Sequence, residues 1–425
     1  MLKKGAPMMQ RPDRARVSTG YAAALLLVHY LFLPCGGYER MMEGKYHSFI
    51  ALTLSYLAVM CFARGGGSLR PTAARLCAAA YLGFSALSAV CSPYGAATLL
   101  GGSRRDGLVT LALYAACFLL LSRDLRPDRR LLYGTAAATT LCCVLTLVQL
   151  GGHNPLALYP AGLTYYDGDG AYLGFYAGTS GNVDFTAFLL ALAACVLGFA
   201  ALRLRLWTLA PAAALAAWVL WRLDVSAARL GVVFTLLWGM ALLAPGKRRA
   251  MLLTSAGLSL LLVIFVFNYT GNNQTLTQAH ALLHGRFDPS FGAERLRIWR
   301  DCLPLVRERP LLGGGPDTLG LRGVEPFPWY LPDRVVPSDV TAAHNEYLNI
   351  LVNQGAPALA AYLGLLGAAL VHCFRRADEP CCAICGAGLL CYAAMACFSI
   401  STCITAPYVW LLLALCGGSE RENNG

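Results

Sequence analysis

The feature that most constrains this chain is a recurring block of apolar residues, each about 17–22 long, which is the length that crosses a bilayer at ~1.5 Å per residue. Apolar residues make up 57% of the 425 residues and charged ones only 13%, where a soluble domain carries roughly 25% charged residues. Such a chain has too little polar surface to cover a water-soluble globule. The runs are continuous rather than alternating, which argues against a membrane β-barrel. The expected class is all-α, a polytopic transmembrane helical bundle forming a single integral membrane domain over 1–425.

Twelve candidate spans follow, at approximately 19–35, 46–63, 72–92, 107–122, 130–151, 183–202, 206–223, 225–244, 250–267, 354–374, 382–399 and 403–417. The first follows Lys3, Lys4, Arg11, Arg14 and Arg16 and lacks a small-x-small cleavage site, so it reads as a retained signal anchor. Lys and Arg set the orientation. With the N-terminus inside, 20 of the 34 fall on the inner side, and eight of the other 14 lie in one long loop. Both termini are therefore expected in the cytoplasm. Two outer loops are long, about 152–182 and 268–353, and the second is too long and polar to be a mere connection. It contains AERLRIWRDCLPLVRERP, with Leu296, Trp299, Leu303 and Val306 at helical spacing, which Pro304 should kink or shorten.

The net charge of +11 would suggest nucleic acid in a soluble protein. Here the basic residues sit mostly in short loops between apolar blocks, so topology explains them and no nucleic-acid partner is expected. Most of the 17 Cys lie inside apolar blocks, where a free thiol acts as a small apolar residue. The Cys382/Cys385 pair has no second pair and no His partner, so neither a metal nor a disulfide framework is expected.

Ionisable residues near the outer face are the informative ones. HNEYLNILVNQG, His344–Gly355, leads into the tenth span. A His at the mouth of a bundle can act as general base near neutral pH; the bland alternative is a His that only hydrogen-bonds backbone, with Thr341 as helix cap. Arg295 opens the amphipathic stretch of the same loop. Arg229 lies just inside the eighth span, shortly after Asp224, and is either a phosphate ligand or a structural partner of Asp224. Arg104 and Arg105 sit outside, before the fourth span, against the local charge rule, where they are either anion ligands or solvated loop charges. The GGGP at 313–316 lacks the Lys-Ser/Thr ending of a nucleotide loop and reads as a turn. Asn-x-Thr sequences stand at Asn268 and Asn273.

The run RLRIWRDCLPLVRERPLLGGGPDTLG and the following HNEYLNILVNQG resemble the signature of the O-antigen ligase and O-antigen polymerase family. That signature is Arg-x-x-x-Trp, Pro-Leu-x-Gly-x-Gly, then His-Asn with a Gly eleven residues beyond the His. Arg295, Trp299, Pro310, Leu311, Gly313, Gly315, His344, Asn345 and Gly355 match it. Weaker echoes are GGSRRDGLVTLALY (101–114), GTSGNVDFTAFL (178–189) and ARLGVVF (228–234), with departures at Ala228, Asp184 and Pro304.

The resemblance implies a bundle like those of the lipid-donor glycosyltransferases known as GT-C. It implies transfer of a glycan from an undecaprenyl-pyrophosphate-linked donor to a hydroxyl of another glycan, a lipid or a protein, on the extracytoplasmic face of a bacterial inner membrane, with no cofactor. The catalytic residues would be His344, Arg295 and Arg229, and the substrate contacts Arg104, Arg105, Asn345, Glu346 and Trp299. The donor's sugar–pyrophosphate bond would supply the energy. A polymerase of the same family shares these motifs. A transporter or lipid-glycan flippase would explain twelve spans equally well, but predicts inverted repeats and charge near the bilayer midplane; a scaffold for envelope assembly is a further alternative.

Overall fold

The computed structural model describes residues 12–65, 69–167, 174–330 and 335–418; the basic residues Lys3, Lys4, Arg11 and Arg421 lie outside them. Each of the twelve apolar segments falls on a helix. In chain order the helices are α1 (Arg14–Ala24, continued by a π-helical turn Leu25–His29), α2 (Met41–Phe62), α3 (Ala73–Val90), α4 (Ala97–Leu100), α5 (Leu108–Asp124), α6 (Arg129–Leu150), α7 (Val183–Leu204), α8 (Ala210–Leu223) and α9 (Ser226–Trp238). After them come α10 (Met240–Leu243), α11 (Arg248–Phe267), α12 (Gln274–Leu283), α13 (Arg295–Glu308), α14 (Glu346–Gln354), α15 (Ala356–Arg375), α16 (Pro380–Met395) and α17 (Ala406–Gly418). One short antiparallel hairpin pairs Phe327–Tyr330 with Val335–Ser338.

Among the described residues, six helices are long and apolar enough to cross a membrane by length and composition: Gly37–Phe62, Ala73–Val90, Arg129–Leu150, Val183–Leu204, Pro245–Phe267 and Ala356–Arg375. The apolar stretches Trp207–Leu223, Ser226–Trp238, Pro380–Met395 and Ala406–Cys416 are shorter. The two extremes show what surrounds the bundle. In α7, 78% of the apolar window is buried against α8, α9 and α16; in α11 only 6% is. Leu253, Leu260, Leu261 and Phe265 of α11 stand more than half exposed. A helix apolar on all sides and uncovered by protein needs an apolar solvent, and lipid is that solvent.

Two helix breaks shape the loops near the candidate site and the α8–α9 corner. α8 ends at Asp224, in the left-handed conformation at φ +58°, and α9 starts two residues later. α16 and α17 are separated by residues 396–405, whose carbonyls and amides serve the candidate site. Near the first helix, the buried Lys45 ammonium donates to His29 O at 2.5 Å and Tyr30 O at 2.8 Å, carbonyls freed where the π-helical turn ends.

The long loop folds onto the bundle. The amphipathic stretch forms α13, which starts at Arg295 and runs past Pro304 to Glu308, so Pro304 does not shorten it. Its buried side is Ile298 and Cys302, packed on Leu319, Val340, Ala343 and Val352. The apolar face is thus rotated from the one the spacing suggested: Trp299 and Val306 lie at its margin, while Leu303 is 47% exposed, because the 298/302/305 row meets the loop. Beyond α13, residues 310–315 lie against the junction of α14 and α15. Gly314 and Gly315 donate to Val352 O and Asn353 O at 3.1 and 2.7 Å, and Ala356 donates to Pro310 O at 2.9 Å. This contact explains two motif glycines. A Cβ at Gly313 would stand 2.4 Å from the Asn353 carbonyl, and one at Gly355 would stand 2.2 Å from Leu311 O; both residues also have positive φ.

Candidate active site

The site is built where three loops meet above the bundle: 101–107 before α5, 339–345 before α14, and 396–405. The cap of α14 is Asn345, whose Oδ1 accepts from Leu348 N at 3.0 Å. Thr341, the cap expected from the sequence, instead accepts through Oγ1 from Arg104 Nε at 3.0 Å. The difference is backbone geometry: Asn345 has the extended conformation of a cap, φ −152° and ψ 113°.

His344 immediately precedes this cap at φ +48°, a left-handed conformation that costs a non-glycine residue ~1–2 kcal/mol. The strain is held by its neighbours. Trp299 Nε1 donates to Ala343 O at 2.9 Å, and Ala343 N donates to Asn349 Oδ1 at 3.2 Å. Trp299 thus fixes the backbone that presents His344. The half-buried imidazole makes no hydrogen bond among the described residues. Burial, with the guanidiniums of Arg104 and Arg295 adding to it, pushes its pKa down to about 3. The ring is therefore neutral near pH 7 and sits in the field of two cations.

Those cations come from different elements, the 101–107 loop and the start of α13. Arg295, the first residue of α13, donates through Nε to Phe398 O at 2.9 Å and through Nη1 to Gly292 O at 2.7 Å, with Asp184 at 4.0 Å from Nη2. Arg104 is held by its backbone as well as by Thr341. The Asp317 carboxylate accepts from the amides of Arg104 at 2.7 Å, Ser103 at 3.1 Å and Asp106 at 3.4 Å, and Gly102 N donates to Asp317 O at 3.0 Å. Asp317, itself at φ +54°, clamps the 101–107 loop to the GGGP turn. Burial pushes the Asp317 carboxyl above its ordinary value while the three amides pull it down.

Behind Arg104, the side chains of Asp106, Asp317, Glu346 and Gln354 face a polar cavity of about 40 Å³. Burial, reinforced by Asp317 and Glu346, drives the Asp106 carboxyl well up, and Tyr114 donates to it at 3.0 Å. Glu346 is buried there, accepting from Ser401 N at 2.8 Å and Ser401 Oγ at 2.6 Å, with its carboxyl raised to about 6 by burial. Glu346 and Asn345 therefore fasten α14 to the neighbouring loop and to itself.

The other two arginines are engaged elsewhere. Arg105 donates to Glu43 at the start of α2, through Nε at 2.9 Å and Nη2 at 2.6 Å, and lies over the Tyr46 ring. Arg229 pairs with Asp224, donates to Trp221 O and stacks on the Trp221 ring at 4.5 Å, the structural alternative of the sequence reading. The structure thus gathers His344, Arg295 and Arg104 and leaves Arg229 and Arg105 in contacts of their own. Asp317 and Ser401 were missed and Thr341 was given another role, since their partners lie too far along the chain for local spacing to reveal.

The site thus sets a neutral imidazole in the field of two guanidiniums in a helical protein with helices suited to a membrane. Residues 188–363 match the family described as O-antigen ligase, from α7 into α15, a segment that includes Arg229, Arg295, Trp299, His344, Asn345 and Glu346; Arg104 and Arg105 precede it. That match supports the resemblance read from the loop motifs, all of which fall within it. No curated protein matches the chain.

Proposed function

We propose that the protein is a glycosyltransferase of the bacterial inner membrane. It crosses the membrane twelve times with both termini in the cytoplasm. At its extracytoplasmic face it moves a glycan from an undecaprenyl-pyrophosphate-linked donor to an acceptor hydroxyl. The observation that carries this reading is the placement of His344, free of hydrogen-bond partners among the described residues, in the field of Arg104 and Arg295, on a segment that matches the O-antigen ligase family.

The chemistry follows from charge. The two guanidiniums hold the pyrophosphate and stabilise the negative charge that grows on it as the anomeric C–O bond breaks. The acceptor oxygen attacks the anomeric carbon from the opposite side, which inverts its configuration. The acceptor's proton passes to the imidazole. Burial is the main cause of the depressed His344 pKa; an anion at Arg104 and Arg295 offsets the smaller part that comes from those cations, so donor binding raises the basicity of the ring by that part. Trp299, Asn345, Glu346 and Asp317 fix the loops that aim these groups. A ligase and a polymerase differ in the acceptor alone, and share this donor half of the mechanism.

The test is complementation of a strain lacking the protein with His344→Ala, reading surface glycan on gels and protein level by immunoblot. Loss of transfer with accumulation of the lipid-linked donor at normal protein level supports the reading. Unchanged transfer removes His344 from the mechanism and makes transport the better account.

A further inference from the structure

A second cavity, of about 360 Å³, lies toward the other end of the bundle from His344. It is walled by the Leu25–His29 turn, α6, α7, α16 and α17, with Leu26, Leu131, Leu189, Val196, Ile384 and Leu412 among its lining. Its wall on α7 runs from Leu189 to Leu204, roughly 22 Å along the axis. One end reaches the helix termini at Pro127, Asp128, Arg129, Leu204 and Pro380. Asp128 caps α6, accepting from Arg130 N at 2.8 Å. Arg126, Arg129 and Arg130 are exposed and make no ion pair among the described residues.

We infer that this cavity holds one acyl chain of an anionic phospholipid, with the headgroup phosphate against Arg126, Arg129 and Arg130. Three features carry the assignment. The wall is almost wholly apolar, so it offers a water molecule too few of the 2–4 polar partners it needs, whereas a hydrocarbon recovers the dispersion contacts an empty space forfeits. The dimensions suit a fatty chain: the length exceeds the ~15 Å of one leaflet's hydrocarbon, and the volume equals roughly a dozen groups the size of a water or methylene, at ~30 Å³ each. The three unpaired guanidiniums complement a phosphate. The donor's own polyprenyl tail is the poorer occupant, because its pyrophosphate belongs at the other end of α7, ~30 Å away.

The full-length protein, purified in mild detergent and delipidated, is incubated with equal amounts of phosphatidylglycerol and phosphatidylcholine of matched chains and read by native mass spectrometry. The wild type is expected to retain one lipid per chain, with phosphatidylglycerol favoured about fivefold or more. Ala193→Trp and Ile384→Trp fill the cavity from two different helices, and each should lose the retained lipid. Arg126→Gln/Arg129→Gln/Arg130→Gln should keep a lipid and lose the preference. Equal retention in the wild type and either well-folded Trp variant overturns the inference, as does retention of undecaprenyl phosphate in place of phospholipid. Should both Trp variants fail to fold, an unchanged preference in the triple Gln variant overturns it alone. Failure here leaves the transferase reading intact, since none of these residues lies at the His344 end.

Discussion

Arg295 and Arg229 share a family-matched segment, yet the structure uses them differently. Arg229 spends its charge: a carboxylate, a carbonyl and an indole ring surround it, and the result braces the corner between α8 and α9. Arg295 and Arg104 make their side-chain hydrogen bonds to backbone carbonyls and a hydroxyl, and the carboxylates near them stand off: Asp184 lies 4.0 Å from Arg295, and Asp317, Asp106 and Asp184 act on Arg104 through their field. The field of this second pair reaches His344. A guanidinium in direct contact with a carboxylate braces a fold; one oriented by carbonyls with its carboxylates at a distance keeps hydrogen-bonding capacity for a ligand.

The comparison can be broken in several ways, the largest effect first. His344→Ala should lower transfer by about 10²–10⁴-fold at unchanged protein level, measured with purified enzyme and lipid-linked donor; a loss under tenfold would remove the imidazole from the chemistry. Arg295→Ala and Arg104→Ala should each cost about 10²–10³-fold, with Lys restoring only part, because it lacks the planar fork. Asp317→Ala should cost about tenfold by releasing the Arg104 loop, and the double variant with Arg104→Ala should be no worse than Arg104→Ala alone, the mark of two residues acting as one unit. Arg229→Ala should change transfer less than Asp317→Ala does while lowering thermal stability; a loss equal to that of Arg295→Ala would return Arg229 to the phosphate.

The smallest effect is in the pH profile. A base with a pKa near 3 is already unprotonated well below neutrality, so kcat/KM, which reports the free enzyme, should show no loss from His344 between about pH 5 and 8. The donor's charge raises the ring's pKa, so kcat should fall at the acid end where kcat/KM does not. Arg295→Ala removes one cation and should raise the acid limb of kcat/KM.

The helices were legible because bilayer-length apolar runs need no long-range information. The loop's candidate groups were legible through a motif, and its glycines find their reason in the packing of 310–315 on 352–356. What escaped the sequence depended on distant partners. The Asp317–Arg104 contact joins residues 213 apart, and Glu346 reads as a substrate contact until Ser401, 55 residues on, is found holding both its oxygens. Spacing also placed Leu303 on the inner face of α13; the loop that covers the helix, invisible to periodicity, chose the 298/302 row instead.

The junction at Gly355 sets a depth gauge. α14 ends at Gln354 and α15 begins at Ala356, with no slack between the short helix carrying His344 at its head and the long one suited to the bilayer. Whatever fixes α15 against the lipid fixes the altitude of the imidazole above it, to within the nine residues of α14, ~14 Å. Under the proposed reading, a membrane-anchored pyrophosphate meets the imidazole at a height set by the bundle, and loops elsewhere can grow or shrink without moving that meeting point.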